Sequence, residues 1–171
     1  VLYYDRVGSS GVMHGRVLDA DHQKQILEAI RAAMDRHGLG DQELVIFNGQ
    51  KGNGEPMSPD DQFQAFRRAS TLIGPHGTGL SNMVWTNPNP KTCESRTQLL
   101  EFVVGADVAQ VQCIYGGYYR QFRSLPLDYH EIFYQIPSTS ETTYINIAEL
   151  ENALNVMWGG DKKVHIEAAV Q

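Results

Sequence analysis

The sequence predicts an α/β domain with a mostly parallel sheet covered by helices on both faces. Three observations lead there. Short β-prone runs alternate with helical segments at intervals of roughly 30 residues, the length of one strand–helix–strand unit. The run Gln98–Val104 is apolar almost throughout, as a strand buried on both faces must be. A glycine-bearing turn, Gly74-Pro75-His76-Gly77-Thr78-Gly79, joins an apolar run to a helix start. The architecture is therefore Rossmann-like. In such sheets ligands bind outside the carboxyl ends of the strands.

The elements follow in order. Val1–Asp5 is β-prone and reads as the first strand, and the glycines and serines of 7–15 make a loop. Over 20–37, Ile26, Leu27, Ile30, Ala33 and Met34 recur at helical spacing. Asp19 or Asp21 can cap that helix, and Gly38 and Gly40 mark its end. Glu43–Phe47 reads as a short buried strand, and Gly49–Met57 as a loop. Ser58-Pro59-Asp60-Asp61 is a helix start, with a serine cap, proline in the first turn and acids beside the positive helix end. That helix runs to about Arg68. Leu72 and Ile73 read as the end of a strand stopped by Gly74-Pro75, with a helix beginning after the turn. Asn87-Pro88-Asn89-Pro90 forbids helix, so 86–96 is a loop. After the strand at 98–104, a tyrosine-rich stretch over 115–129 reads as irregular. Ile132–Ile136 reads as a fifth strand and Ile147–Trp158 as a last helix, closed by Gly159-Gly160.

The 171 residues suffice for one domain with its own core, taken here as 1–158, with a tail at 159–171 that has no clear pattern. Hydrophobic residues make up 42% and charged residues 20%, ordinary for a globular protein, and no run approaches a membrane span. The strand-like start at Val1, with no Met, reads as a segment of a longer chain. The net charge is 14 − 20 = −6, which argues against nucleic acid as a partner. Cys93 and Cys113 lack metal-ligand spacing; they pair in an oxidising compartment or stay as two thiols.

Five constellations can carry chemistry. The turn at 74–79 can aim backbone N–H groups at an anion, most commonly a phosphate, with His76 donating to the same guest. Its other reading is a tight turn that needs glycine, with His76 satisfied by a backbone carbonyl. It is neither a Walker A loop nor a good GxGxxG match, because Asn82 holds the last position. Arg6 and Arg16 flank the loop after the first strand. Both can reach the same sheet edge and make forked contacts to a diphosphate; each can equally be a surface arginine. Glu101 interrupts an apolar strand, a costly position unless the carboxylate is paired. It can accept from a ribose diol or pair with Arg67 or Arg68. Asp128, His130 and Glu131 form a polar cluster that can hold a base. Tyr115, Tyr118, Tyr119, Phe122 and Tyr129 can stack a base or sugar, or pack a core edge.

The run Ala69–Trp85, followed by Leu99-Leu100-Glu101-Phe102, resembles the inverting glycosyltransferases of family 61. That family includes plant xylan arabinosyl- and xylosyltransferases and animal EGF-domain and protein O-mannose β-N-acetylglucosaminyltransferases. The resemblance covers about residues 1–135 in order and includes Arg6 and Arg16 upstream. It departs at Thr78, where the family has Ala, and at Asp19, where Asn is usual; no role is carried to Asp19. The resemblance implies the C-terminal, donor-binding half of a GT-B enzyme, completed by an N-terminal domain outside this chain. It implies a nucleotide-sugar donor, most often a UDP-sugar, held without an essential metal or other cofactor, and a glycan or glycoprotein acceptor. In that picture Gly77, Thr78, Gly79, Asn82 and His76 face the diphosphate, Arg6 and Arg16 assist, and Glu101 takes the ribose. It also implies a Golgi or endoplasmic reticulum lumen, with any membrane anchor outside this chain. The alternative is a domain of the same fold that binds a ligand or partner and transfers nothing.

Overall fold

The computed structural model describes residues 1–5, 17–86, 97–104, 127–134 and 142–159. Its main strands are β1 (Leu2–Tyr4), β3 (Val45–Phe47), β4 (Thr71–Pro75), β5 (Thr97–Val104) and β6 (Leu127–Tyr134). They form one sheet in the order β3-β1-β4-β5-β6, and every pairing is parallel. A separate ribbon pairs β2 (Val17–Leu18) with β7 (Thr142–Thr143). The helices are α1 (Ala20–Arg36), α2 (Pro59–Arg68) and α3 (Ile147–Trp158), with a 3₁₀ helix at Thr78–Trp85. Among the described residues no helix is long and apolar enough to cross a membrane.

Alternation along each strand splits the apolar residues between two layers. Tyr3, Ile73, Leu100, Phe102 and Ile132 pack with Ile26, Ile30 and Met34 of α1 and with Leu150 and Leu154 of α3. On the other face Leu2, Leu72 and Leu99 pack with Phe66 of α2 and with Leu80 and Met83 of the 3₁₀ helix. Adjacent residues such as Leu99 and Leu100 thus serve opposite cores, which explains the unbroken apolar run in β5. The doubly covered parallel sheet is the one the sequence predicts.

The helix starts form for local reasons. Asp19 caps α1 by accepting from the Asp21 and His22 N–H groups. Ser58 and Asp61 make a reciprocal capping box at α2. Asn146 caps α3. His22, buried on α1, accepts the Ile145 N–H at Nε2, 2.8 Å away, and so ties the approach to α3 against α1.

Three expectations change. β3, read as a buried strand, lies at the sheet edge and is buried only at Phe47, with Val45 and Ile46 exposed. Gly74-Pro75 does not stop β4: both residues pair with β5, Gly74 opposite Glu101 and Pro75 opposite Phe102. Pairing to β1 has already ended at Ile73, so no neighbour on that side needs the missing Pro75 N–H. β6 begins at Leu127 instead of at Ile132, because the polar Asp128–Glu131 stretch pairs residue by residue with β5. The helix expected after the turn forms as a 3₁₀ helix. The β2–β7 ribbon has no counterpart in the sequence reading. Arg6, Arg16, both cysteines, Tyr115, Tyr118, Tyr119, Phe122 and the tail from residue 160 lie outside the described residues.

Tyr3 is 0% exposed, and its hydroxyl has no hydrogen-bond partner among the described residues. Burial pushes its ionisation far above the usual tyrosine range, so it stays a neutral phenol. Removing an unsatisfied buried hydroxyl removes its desolvation cost, on the order of 1–3 kcal/mol. Tyr3→Phe is therefore expected to leave the urea-unfolding free energy unchanged or raise it; a loss above about 1 kcal/mol would reveal a hidden hydroxyl partner.

Candidate functional site

With β1, β3, β4, β5 and β6 counted one to five, the sheet runs 2-1-3-4-5, and the order reverses between β1 and β4. The crevice at such a reversal, at the carboxyl ends of the strands, is where ligands enter doubly wound sheets. His76 is the first residue beyond β4 there. Its N–H donates to the Phe102 carbonyl at 2.8 Å, which anchors it to β5. The His76 side chain is buried, and Nδ1 lies 2.5 Å from Glu101 Oε1. With Glu101 ionised, Nδ1 carries the proton and donates it to the carboxylate.

The network continues across the sheet. Glu101 stands opposite Gly74 on one side and Glu131 on the other. Tyr129, two residues before Glu131 and on the same face of β6, donates to Glu101 Oε2 at 2.7 Å. Its hydroxyl lies 3.3 Å from Glu131 Oε2. The result is a row of four polar side chains, His76, Glu101, Tyr129 and Glu131, on the α2 side of the sheet. Burial first, then the charges of Glu101 and Glu131, push Tyr129 far above its ordinary ionisation, so it remains a donor. Burial also holds Glu131 above the usual carboxylate range; the Tyr129 hydroxyl opposes this and the Glu101 charge reinforces it.

The glycines of the turn serve packing as well as backbone exposure. A Cβ on Gly74 would meet the Tyr4 carbonyl and Cβ at 2.8 Å, and one on Gly79 would run into the Tyr4 ring. Tyr4 thus fills the crevice beside the turn, in a place that two missing side chains leave open. Gly77 is extended, with φ 168°, a conformation open to any residue. The 3₁₀ helix starts at Thr78, and Leu80 makes an early bond to the Gly77 carbonyl at 2.9 Å. The first N–H groups of such a helix have no acceptor within it.

Of the sequence-predicted site residues, His76, Gly77, Thr78, Gly79 and Glu101 come together at this edge. Asn82 is directed to α2, where its amide donates to Gln62 Oε1 at 3.5 Å. Arg6 and Arg16 lie outside the described residues. Glu101 pairs with His76 and Tyr129 and not with Arg67, whose guanidinium lies over the Phe63 ring at 5.7 Å. Both Glu101 oxygens are engaged by protein groups, so the residue holds His76 in place. The Asp128–His130–Glu131 cluster divides, because alternation sends Asp128 and His130 to the face opposite Glu131. Burial lowers the His130 ionisation range, with the Asp128 charge opposing. Sequence reasoning missed Tyr4 altogether; of its two readings for Tyr129, stacking or core edge, the ring packs against the Leu72 and Leu99 cluster, and the part its hydroxyl plays beside Glu101 went unread. Reading 127–134 as a strand would have set Tyr129 and Glu131 opposite Leu99 and Glu101. A groove of about 850 Å³ near Val1, Val45, Arg68 and Ser70 opens at the amino ends of the strands, the opposite edge from His76.

No protein-family model matches the chain, and no curated protein matches it. The functional reading therefore rests on the site and on the resemblance carried by its sequence motif.

The raised Glu131 carboxyl has a consequence for stability. A folded-state value above the unfolded one favours the fold while the acid is protonated; that advantage is lost as pH rises through the folded value. Glu131→Gln, which cannot ionise, is expected to melt above the unaltered protein near neutral pH. The gap should close toward about pH 4, where glutamate is largely protonated in either state. Thermal melts across that range check this, and a gap that widens on acidification would reverse the assignment.

Proposed function

We propose that this chain is the donor-binding half of an inverting glycosyltransferase that takes its sugar from a nucleoside diphosphate sugar of the UDP-sugar class. The observation that carries the reading is the buried His76–Glu101 pair. It stands at the carboxyl edge of adjacent parallel strands, beside the order reversal and the start of a 3₁₀ helix. A carboxylate held against the far side of an imidazole makes the ring a stronger donor and fixes its plane. Backbone N–H groups at the neighbouring helix start supply further donors to an anion.

The chemistry follows from those parts. An acceptor hydroxyl attacks the anomeric carbon, the bond from that carbon to the phosphate oxygen breaks, and the acceptor proton passes to a base. Negative charge grows on the departing nucleoside diphosphate. His76 and the amides of Gly77, Thr78 and Gly79 lower the barrier by meeting that charge with donors already in place. By the family resemblance, Arg6 and Arg16 would add positive charge to the same diphosphate. Glu101 acts here through His76, a role that replaces the ribose contact. The acceptor site and the base belong to the companion N-terminal domain, so the segment alone binds donor weakly and transfers nothing. A glycan or glycoprotein acceptor and a lumenal Golgi or endoplasmic reticulum setting rest on the family resemblance alone.

Calorimetric titration of UDP into the full-length protein tests the reading. UDP is expected to bind, and His76→Ala to weaken it about tenfold or more, since a lost hydrogen bond to a charged group is worth roughly 1.5–3 kcal/mol. Absent binding, or equal affinity in the variant, overturns it. Binding without transfer from any of a panel of UDP- and GDP-sugars would favour the non-enzymatic domain of the same fold.

A further inference from the structure

The row of polar groups extends beyond what His76 needs for a single partner. Glu101 already satisfies Nδ1, yet two more side chains stand behind it, Tyr129 at 2.7 Å and then Glu131 at 3.3 Å. Two carboxylates side by side on neighbouring strands are poor economy for a sheet face, because like charges repel and each loses hydration. The register that sets Glu101 opposite Glu131 makes the pairing unavoidable once both are glutamate. A phenol placed between them resolves it only in one arrangement of protons. Tyr129 has a single proton, and the shorter contact assigns it to Glu101. The Glu131 contact is then satisfied if the acid carries its own proton and donates to the phenol oxygen. In that arrangement His76 and Tyr129 both donate to Glu101.

We propose that Tyr129 and Glu131 are positioning residues for His76: they hold the Glu101 carboxylate from behind and so fix the imidazole at the carboxyl end of β4. The proposal rests on the donor-site reading for its consequence in binding, but not for its geometry. Burial favours the protonated Glu131 that the arrangement needs. Tyr129 also packs against the Leu72 and Leu99 cluster, so its ring is held by neighbours independent of its hydroxyl.

Two measurements separate the parts. In the full chain labelled with ¹⁵N at histidine, the His76 Nδ1 proton is expected far downfield, as for an imidazole bound to a carboxylate. Tyr129→Phe, which keeps the ring, and Glu131→Leu should each move or broaden that resonance. Glu131→Gln should preserve it, because a carboxamide can donate to the phenol oxygen as the protonated acid does. In the full-length protein the first two variants should weaken UDP binding about fivefold to tenfold, in line with the loss of a group that orients a primary contact. Glu131→Gln should stay within about twofold, the small change expected where a conservative swap keeps the donor. A His76 resonance unchanged in both Tyr129→Phe and Glu131→Leu overturns the positioning role, whatever UDP does. So does equal loss in Glu131→Gln and Glu131→Leu, a comparison that decides the matter even if Tyr129→Phe does not fold. If the resonance responds but UDP binds no variant and not the unaltered protein, the positioning role stands and the donor reading fails.

Discussion

The burial of one carboxylate in the middle of a parallel sheet is the constraint on which the site depends. Glu101 is 9% exposed, on a strand otherwise filled by Leu99, Leu100, Phe102 and Val103. An isolated charge there would cost far more than a fold of this size can spare. It is tolerated because each oxygen meets a donor, His76 from the end of β4 and Tyr129 from β6. The same bonds pull three strands into one chemical unit. Removing either donor would leave a buried acceptor short of a partner, and such pairs lose more when broken than they contribute when whole.

Around that pair, shape is set by what glycine leaves out. Gly74 gives up its side chain to the backbone of Tyr4, and Gly79 gives up its own to the Tyr4 ring. β1, β4 and the 3₁₀ helix can therefore approach closely just where the sheet order reverses. α2 then braces the 3₁₀ helix through Phe66, Leu80 and Met83 and through the bond from Asn82 to Gln62. The edge that His76 occupies is thus supported from below by the sheet and from the side by a helix. A preorganised donor needs both, because a group that must reorganise as charge develops stabilises little.

Much of the architecture was legible in the chain. Apolar spacing in α1, the caps at Asp19 and Ser58 and the unbroken run in β5 are local signals, and each element formed where its own residues favoured it. Legibility failed where partners override local preference. Gly74-Pro75 reads as a stop, yet β5 supplies the pairing that keeps both in the strand. Asp128–Glu131 reads as a polar cluster ahead of a strand at Ile132, yet its position next to β5 turns one row of those side chains into the back of the site.

What the sequence by itself determined is the doubly covered parallel sheet and the presence of His76 at the end of a strand and Glu101 within one. Periodicity and turn chemistry are written in neighbouring residues, so they survive without knowledge of contacts. Only the tertiary structure decided that these two side chains meet, that Tyr129 and Glu131 stand behind them, and that the glycines make room for Tyr4. Those facts depend on strand order and register across 25 and 28 residues of sequence, distances over which local pattern carries no signal.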